Sequence, residues 1–527
     1  MPVSPAVPSL ETRLAQAAAE LAAGRTGVAS VAVLALVREH PLDPRPWALM
    51  ASVHLRADRP DLALVCLEHA VDRARDDAAL RIRQGQCLAR LGRRSEALAA
   101  AAAAESLPRP TAALEDGLGT LYTHCDEPSR ALAHHLQAVA MAPTVPDYRY
   151  NLATVQRMVG DLGSAEDSLD QVIAAAPRDF AAYLTRADLR RQTPERNHVA
   201  ALQACLAAAG LDRAAEITLR FSLAKELEDL GRYAESFAQT QRGCALQRAA
   251  SDYDVGADVA TMARIVARHD AGALDSGPRG YPTDEPIFVI GLPRSGTTLV
   301  ESILAAHGDV QAPGELQAFP QACVEAVRAL TGGSVGKQAF VDCALEVDPA
   351  QLGRRYLEAT RPQTGLRPHF VDKLPLNYLY AGLIHRALPG ARIVALERDP
   401  MDCCYAMYKT LFTGAYPFSY DLDDLGRYFL AWQRLMQHWR DVLGDALLVV
   451  RYEELVADQE GVSRRLLAHC DLAWDSDCLD FHLRRSAVAS ASAAQVRRPL
   501  YATSVGLWRR YEQELAPLAR RLASGAA

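Results

Sequence analysis

Small residues recur every 34 positions through the first half of this 527-residue chain. One column runs Ala17, Ala51, Gly85, Gly119, Ala153 and Ala187, and a second, twelve residues later, runs Ala29, Ala63, Ala97, Ala131 and Ala165. A third and less complete column holds Ala70, Ala104 and Ala138, and Pro41, Pro143 and Pro177 close three of the units. After Ala187 the register slips by three and resumes at Ala224, in LAKELEDLGRYAESF, with Gly231 and Tyr233 at a turn. A period of this length restricts the segment to a stacked-repeat architecture, because one unit cannot bury its own apolar face. With 50% hydrophobic and 23% charged residues, the chain has the apolar material for such a core and is not a disordered polymer.

Small residues at fixed positions let helix axes approach closely, and a closing proline ends a helix. Each unit therefore reads as two antiparallel helices. The pattern resembles the tetratricopeptide repeat, with about six to seven units over residues 8–250. That resemblance implies an all-α superhelix over residues 1–265 whose concave surface holds an extended peptide or protein partner. Self-association or simple scaffolding is the alternative use of the same surface.

Residues 270–286, DAGALDSGPRGYPTDEP, concentrate Gly, Pro and Asp and mark a boundary, so 266–285 is read as a linker. Beyond it the pattern becomes α/β. PIFVIG (286–291), HFVDK (369–373), ARIVALER (391–398) and ALLVVRYE (446–453) are short apolar runs suited to buried parallel strands. Helical stretches lie at roughly 298–307, 376–388, 400–412 and 424–443. The expected fold of 286–527 is a P-loop-like α/β domain with a parallel sheet, which binds ligands at the carboxyl ends of its strands.

The first of these strands runs into GLPRSGTTLVESIL, a strand, Gly-bearing turn and helix start that together make an anion site. Gly291, Gly296 and Thr298 fit the nucleotide pattern G-x-x-x-x-G-K-[ST], but Thr297 stands at the lysine position. A kinase or NTPase needs that lysine on its β/γ-phosphates, so this reading is kept only as an alternative. The cation inside the loop is Arg294.

The segment PRSGTT after a strand resembles the 5′-phosphosulfate loop of sulfotransferases, whose sulfuryl donor is 3′-phosphoadenosine 5′-phosphosulfate (PAPS). The resemblance assigns Arg294, Ser295, Gly296, Thr297 and Thr298 to the donor. Arg398, in ARIVALERDPMDCCYAMYK, takes the place of the family's 3′-phosphate arginine, whose planar fork suits phosphate oxygens. The family serine eight residues later is replaced by Ala406, with Tyr405 and Lys409 as neighbouring polar groups. Tyr452, in RYEELVAD, matches a donor-binding tyrosine of the tyrosylprotein sulfotransferases. Arg498, in QVRRPLYATSVGLWRRYEQEL, holds the place of a donor-contacting basic residue. The likeness spans about residues 285–520, and the whole resembles bacterial fusions of tetratricopeptide arrays to a sulfotransferase domain.

Sulfuryl transfer needs an in-line donor and acceptor, charge stabilisation and removal of the acceptor's hydroxyl proton. The resemblance makes Glu315 the base, Lys373 a catalytic cation and Arg294 a stabiliser of charge on the leaving phosphate. His307 is the rival base, but its place after Leu299 and Ile303 on the same helix favours a structural role. TGAYPFSYDLDDLGRYF (413–429) reads as a loop packed by its own aromatics before a charged helix start, with lining of the acceptor pocket as the alternative. A protein or peptide tyrosine and a small molecule fit equally as the hydroxyl acceptor.

The net charge of −7 gives no global basic footprint for nucleic acid. No apolar run reaches the roughly 18 residues of a membrane span. Eleven scattered cysteines without CxxC pairs read as free thiols, so a cytoplasmic location is expected, and no cluster has metal-ligand spacing. Beside the leading reading, a PAPS-dependent sulfotransferase, stand a P-loop NTPase and a repeat scaffold with an inactive transferase domain, for which Ala406 is the one pointer.

Overall fold

The computed structural model describes residues 8–365, 367–412, 414–483, 500 and 504–525. Its contacts divide the chain into two compact units, Met1–Ala182 and Tyr183–Ala527.

The first unit is built of helix pairs in the order the repeat predicts: Leu10–Ala22 with Thr26–Glu39, Pro44–Arg56 with Pro60–Arg73, and Ala78–Arg90 with Arg94–Glu105. Ala112–His124 with Pro128–Met141, and Pro146–Val159 with Leu162–Ala175, continue the series. Ala29, Ala63, Ala97, Ala131 and Ala165 have no exposed surface at all, which is why nothing larger stands in that column. The glycines have the same cause. A Cβ on Gly85 would lie 2.5 Å from Leu121 Cδ2, and one on Gly119 would lie 2.8 Å from the His135 ring.

The three-residue slip after Ala187 has a local origin. Helices Phe180–Asp188 and Val199–Ala207 are joined by a longer turn with an isolated bridge between Thr193 and Arg196. The next pair, Arg213–Asp229 with Tyr233–Arg248, keeps the repeat's form but packs in the second unit. Cys244 Sγ reaches the Tyr408 carbonyl at 3.2 Å, and Arg248 Nε reaches Asp424 Oδ2 at 2.8 Å. The change of sequence pattern, expected at 266–285, and the division between compact units fall at different places.

The sheet of the second unit has five parallel strands: β1 (Pro286–Gly291), β2 (Val310–Gln311), β3 (His369–Asp372), β4 (Arg392–Glu397) and β5 (Leu447–Arg451). Their order is β2-β3-β1-β4-β5. Only β2 was not legible in the sequence, because two residues carry no periodicity. The expected helix 376–388 resolves into a 3-10 turn, Pro375–Leu379, and a helix, Ala381–Ala387; the one expected at 400–412 ends at Tyr408.

Alternation assigns the strand side chains to two cores. Phe288, Ile290, Phe370, Ile393 and Ala395 face a core that includes Phe319, Tyr356 and Trp439. Ile287, Val289, Val371, Val394 and Leu396 face another, with Val300, Ile303, Leu304 and Leu466. Both faces are covered, as a parallel sheet requires. β1 is central, and the chain adds strands to one side of it and then to the other, so the carboxyl end of β1 is the switch point where ligands bind. Among the described residues, no helix is long and apolar enough to cross a membrane, and no two cysteines are bonded.

Candidate active site

The loop after β1 turns on three residues with positive φ: Gly291 (152°), Arg294 (67°) and Gly296 (110°). A Cβ on Gly291 would lie 2.9 Å from the Leu396 carbonyl oxygen, and one on Gly296 would lie 2.8 Å from Tyr452 Cδ2. These glycines are required by close approach as well as by backbone conformation. Arg294 holds the left-handed conformation without being glycine, a strain that a functional loop can sustain. Helix Thr297–Ala306 starts directly behind Gly296, with Thr297 and Thr298 buried. Its first N–H groups have no acceptor within the helix and, with the helix dipole, favour an anion.

The ends of β4 and β5 close one side of this loop. Arg398 donates from Nη1 to the Arg294 carbonyl at 3.0 Å and from Nη2 to the Ser504 carbonyl at 2.7 Å. Its guanidinium lies 4.7 Å from the centre of the Tyr452 ring. The Tyr452 and Ser504 hydroxyls are 2.8 Å apart. Asp399 caps helix Pro400–Tyr408 by accepting from the amides of Met401 and Asp402. Asp402, itself buried, accepts from the amides of Gly506 and Trp508 at 2.5 and 3.2 Å. Arg294, Arg398 and Tyr452 are thus gathered around one loop. Ser504 and Asp402, which sequence reasoning did not single out, tie the C-terminal segment to it. Arg498 lies outside the described residues.

The residues of the loop fit a phosphate- and sulfonate-bearing donor on two observations. Ser295 Oγ and Arg398 Nε are buried and have no hydrogen-bond partner among the described residues. Orphaned donors within a glycine-bearing loop and on the arginine beside it are suited to anionic oxygens. Ala406 occupies the helix position where the family has serine, and Tyr405 and Lys409 do not take its place. Tyr405 Oη and Lys409 Nζ instead donate to Glu228, at 2.9 and 2.6 Å.

At the carboxyl end of β3 is a cluster of charge. Lys373 Nζ donates to Glu315 Oε1 at 2.6 Å and lies 3.7 Å from Glu301 Oε2. Lys373 is only 2% exposed, whereas the Glu315 side chain keeps 38% of its surface accessible. Burial pushes the Glu301 carboxyl up to about 7 against the opposing Lys373 ammonium, and the Glu315 carboxylate adds to the rise. Asp372 does not pair with Lys373: it accepts from Tyr356 Oη at 3.0 Å and Asn377 Nδ2 at 3.3 Å, and burial raises it to about 8. Glu301 was missed in the sequence because it stands mid-helix, one turn past the loop, with no motif of its own. His307 has both ring nitrogens engaged: Nδ1 accepts from the Asp309 amide and Nε2 donates to the Ala473 carbonyl, both at 3.1 Å.

A central parallel strand, a glycine-bearing loop running into a helix start, and an arginine at the end of the adjacent strand make an arrangement suited to a phosphate- or sulfate-bearing ligand. Residues 286–476 match the model of the sulfotransferase family. An uncharacterized protein of Aquifex aeolicus (strain VF5) is 29% identical over 71% of this chain, which spans 50% of that relative's length. The putative protein-tyrosine sulfotransferase of Caenorhabditis briggsae is 25% identical over 43% of this chain and 81% of its own. The protein-tyrosine sulfotransferase of Drosophila melanogaster is 24% identical over 42% and 46%. A thermophilic TPR protein of Thermus thermophilus superposes on 34% of the chain, 98% of its own, at 22% identity and a TM-score of 0.31. The chain joins an array of helix pairs to a region, residues 286–476, that matches the sulfotransferase family model.

Proposed function

We propose that the chain transfers a sulfuryl group from PAPS to an acceptor hydroxyl. The observation that carries this reading is the Lys373–Glu315 pair, 2.6 Å apart at the carboxyl end of β3, the strand beside the one that bears the donor-type loop. Arg294, Ser295, Gly296, Thr297 and Thr298 hold the 5′ end of the donor, and Arg398, with Tyr452 against its guanidinium, holds the 3′-phosphate. Arg498 is assigned to the donor by resemblance alone.

Glu315, the accessible carboxylate of the cluster, takes the acceptor's proton. The acceptor oxygen forms a bond to sulfur as the bond between sulfur and the bridging phosphate oxygen breaks, and 3′-phosphoadenosine 5′-phosphate leaves. Arg294 and Lys373 offset the negative charge that develops on the leaving oxygen, where fixed cations in a partly dehydrated site act most strongly. The helical array recruits the acceptor or a partner protein.

Calorimetric titration with 3′-phosphoadenosine 5′-phosphate, with ATP as the competitor, tests the reading. Preference for the bisphosphate, lost in Arg294→Ala and Arg398→Ala, is the expected result. Preference for ATP would overturn it in favour of an NTPase, although Thr297 stands where that chemistry needs lysine.

A further inference from the structure

The 3-10 turn that follows Lys373 lines a cavity of about 470 Å³, within the roughly 300–1,000 Å³ span of small-molecule sites. Its walls are largely apolar and include Ile265, Val327, Val341, Leu379 and Phe418. Two features join it to the reaction centre. Leu376 and Leu379 line it from the 3-10 turn Pro375–Leu379, which begins two residues after Lys373. Tyr416 lines it too, and its phenol is pushed up to about 12 by burial and by the Glu315 carboxylate.

Deep in the wall is His269, 2% exposed. Its Nε2 donates to the Val341 carbonyl at 3.4 Å, and its carbonyl accepts from His438 Nε2 at 3.0 Å. Its Nδ1 is buried and has no partner among the described residues. Burial pushes the ring down to about 4, so it is neutral near pH 7 and adds no charge to the wall. A largely apolar chamber, in whose lining Lys337 Nζ and Asp258 Oδ1 pair with each other at 2.6 Å, fits an apolar body. It does not fit an extended peptide, which brings a backbone N–H and C=O at every residue that these walls cannot satisfy.

We propose that this cavity seats the apolar body of the acceptor, so that the substrate is a hydroxyl-bearing amphiphile with its reacting hydroxyl at Glu315. The proposal rests on the sulfotransferase reading for the reacting end only. The occupation of the cavity is independent of it.

The test uses the full chain, PAPS and a 4-alkylphenol series from phenol to 4-octylphenol, with binding of 4-octylphenol measured separately by calorimetry. Transfer efficiency should rise about threefold per added methylene until the cavity is filled. A terminal hydroxyl on the octyl chain should lower it, because largely apolar walls leave that group without a partner. Val327→Trp and Ile265→Trp, two independent ways to fill the cavity, should flatten the chain-length dependence and weaken 4-octylphenol binding at least tenfold. Both should leave the affinity for 3′-phosphoadenosine 5′-phosphate unchanged, which also reports that they fold. Transfer that is indifferent to chain length, with no 4-octylphenol binding, overturns the cavity proposal and leaves the transferase reading standing. Binding of 4-octylphenol that the tryptophans block, without any sulfuryl transfer, keeps the cavity and removes the transferase reading.

Discussion

Glu228, on the repeat-type helix Arg213–Asp229, accepts a 2.6 Å hydrogen bond from Lys409 Nζ, 181 residues further along the chain. Tyr405 and Tyr511 donate to the same carboxylate at 2.9 and 2.8 Å. Helix Pro400–Tyr408, which begins just beyond the donor-type Arg398, is thereby anchored to a helix of the repeat pattern.

Removing this carboxylate strands a lysine and two phenols. Glu228→Ala should lose about 2–3 kcal/mol of stability, as hydrogen bonds to a charged group would lead one to expect. Burial would raise the Glu228 carboxyl, but Lys409, Tyr511 and Tyr405 outweigh it and hold it below its ordinary value. Its contribution is complete above the unfolded carboxylate range and is lost as pH falls through the folded value. Denaturant unfolding of both proteins at neutral and acid pH checks this: the gap between them should narrow toward low pH.

Glu301 gives the candidate site a second, opposite pH dependence. Its carboxyl is raised to about 7 by burial, so the folded protein holds a proton there that the unfolded chain releases near its ordinary value of 4.5. This contribution to stability is present below about pH 4.5 and is lost as pH rises through 7. Wild-type stability, and the rate of any reaction that uses Lys373, should each show an inflection near pH 7 that Glu301→Gln removes. Unfolding midpoints and pH–rate profiles of the pair are the measurement.

His307 has both ring nitrogens engaged, one accepting from Asp309 and one donating to Ala473. His307→Ala should therefore cost about 1–3 kcal/mol of folding stability. It should leave turnover per folded molecule within twofold. Glu315→Gln should do the reverse, keeping affinity for 3′-phosphoadenosine 5′-phosphate while lowering the rate at least a hundredfold. Parallel unfolding curves and single-turnover rates separate the two roles.

In the array, Gly119→Ala drives a methyl against the His135 ring, which Asp116 Oδ1 holds at 2.9 Å. It should cost about 1–3 kcal/mol. Gly163→Ala meets nothing closer than 4.0 Å and should stabilise by about 0.5 kcal/mol through the unfolded chain. Thermal melts of the two variants check the pair.

The extent to which the sequence foretold each feature follows from the range of the interactions. Strand β1 coincides with the apolar run 286–291, and the alanines of the second column are wholly buried. In both, a local period carries the information: two residues for a pleated strand, 34 for a stacked pair of helices. The loop from Gly291 to Thr298 was legible for the same reason, since its turn, glycines and helix start are contiguous.

What remained illegible lies between distant segments. Nothing near Lys409 in the chain announces Glu228, nothing beside Tyr452 announces Ser504, and Glu301 gains its partner only when β3 brings Lys373 to within 3.7 Å. The sequence alone determined the helical repeat, the parallel α/β pattern and the place of the glycine-bearing loop, because periodicity and contiguous turns are written locally. Only the tertiary structure decided which carboxylate faces which ammonium and where an apolar cavity opens beside them. Those outcomes depend on side chains that meet across packed elements, and on the loss of water where they meet.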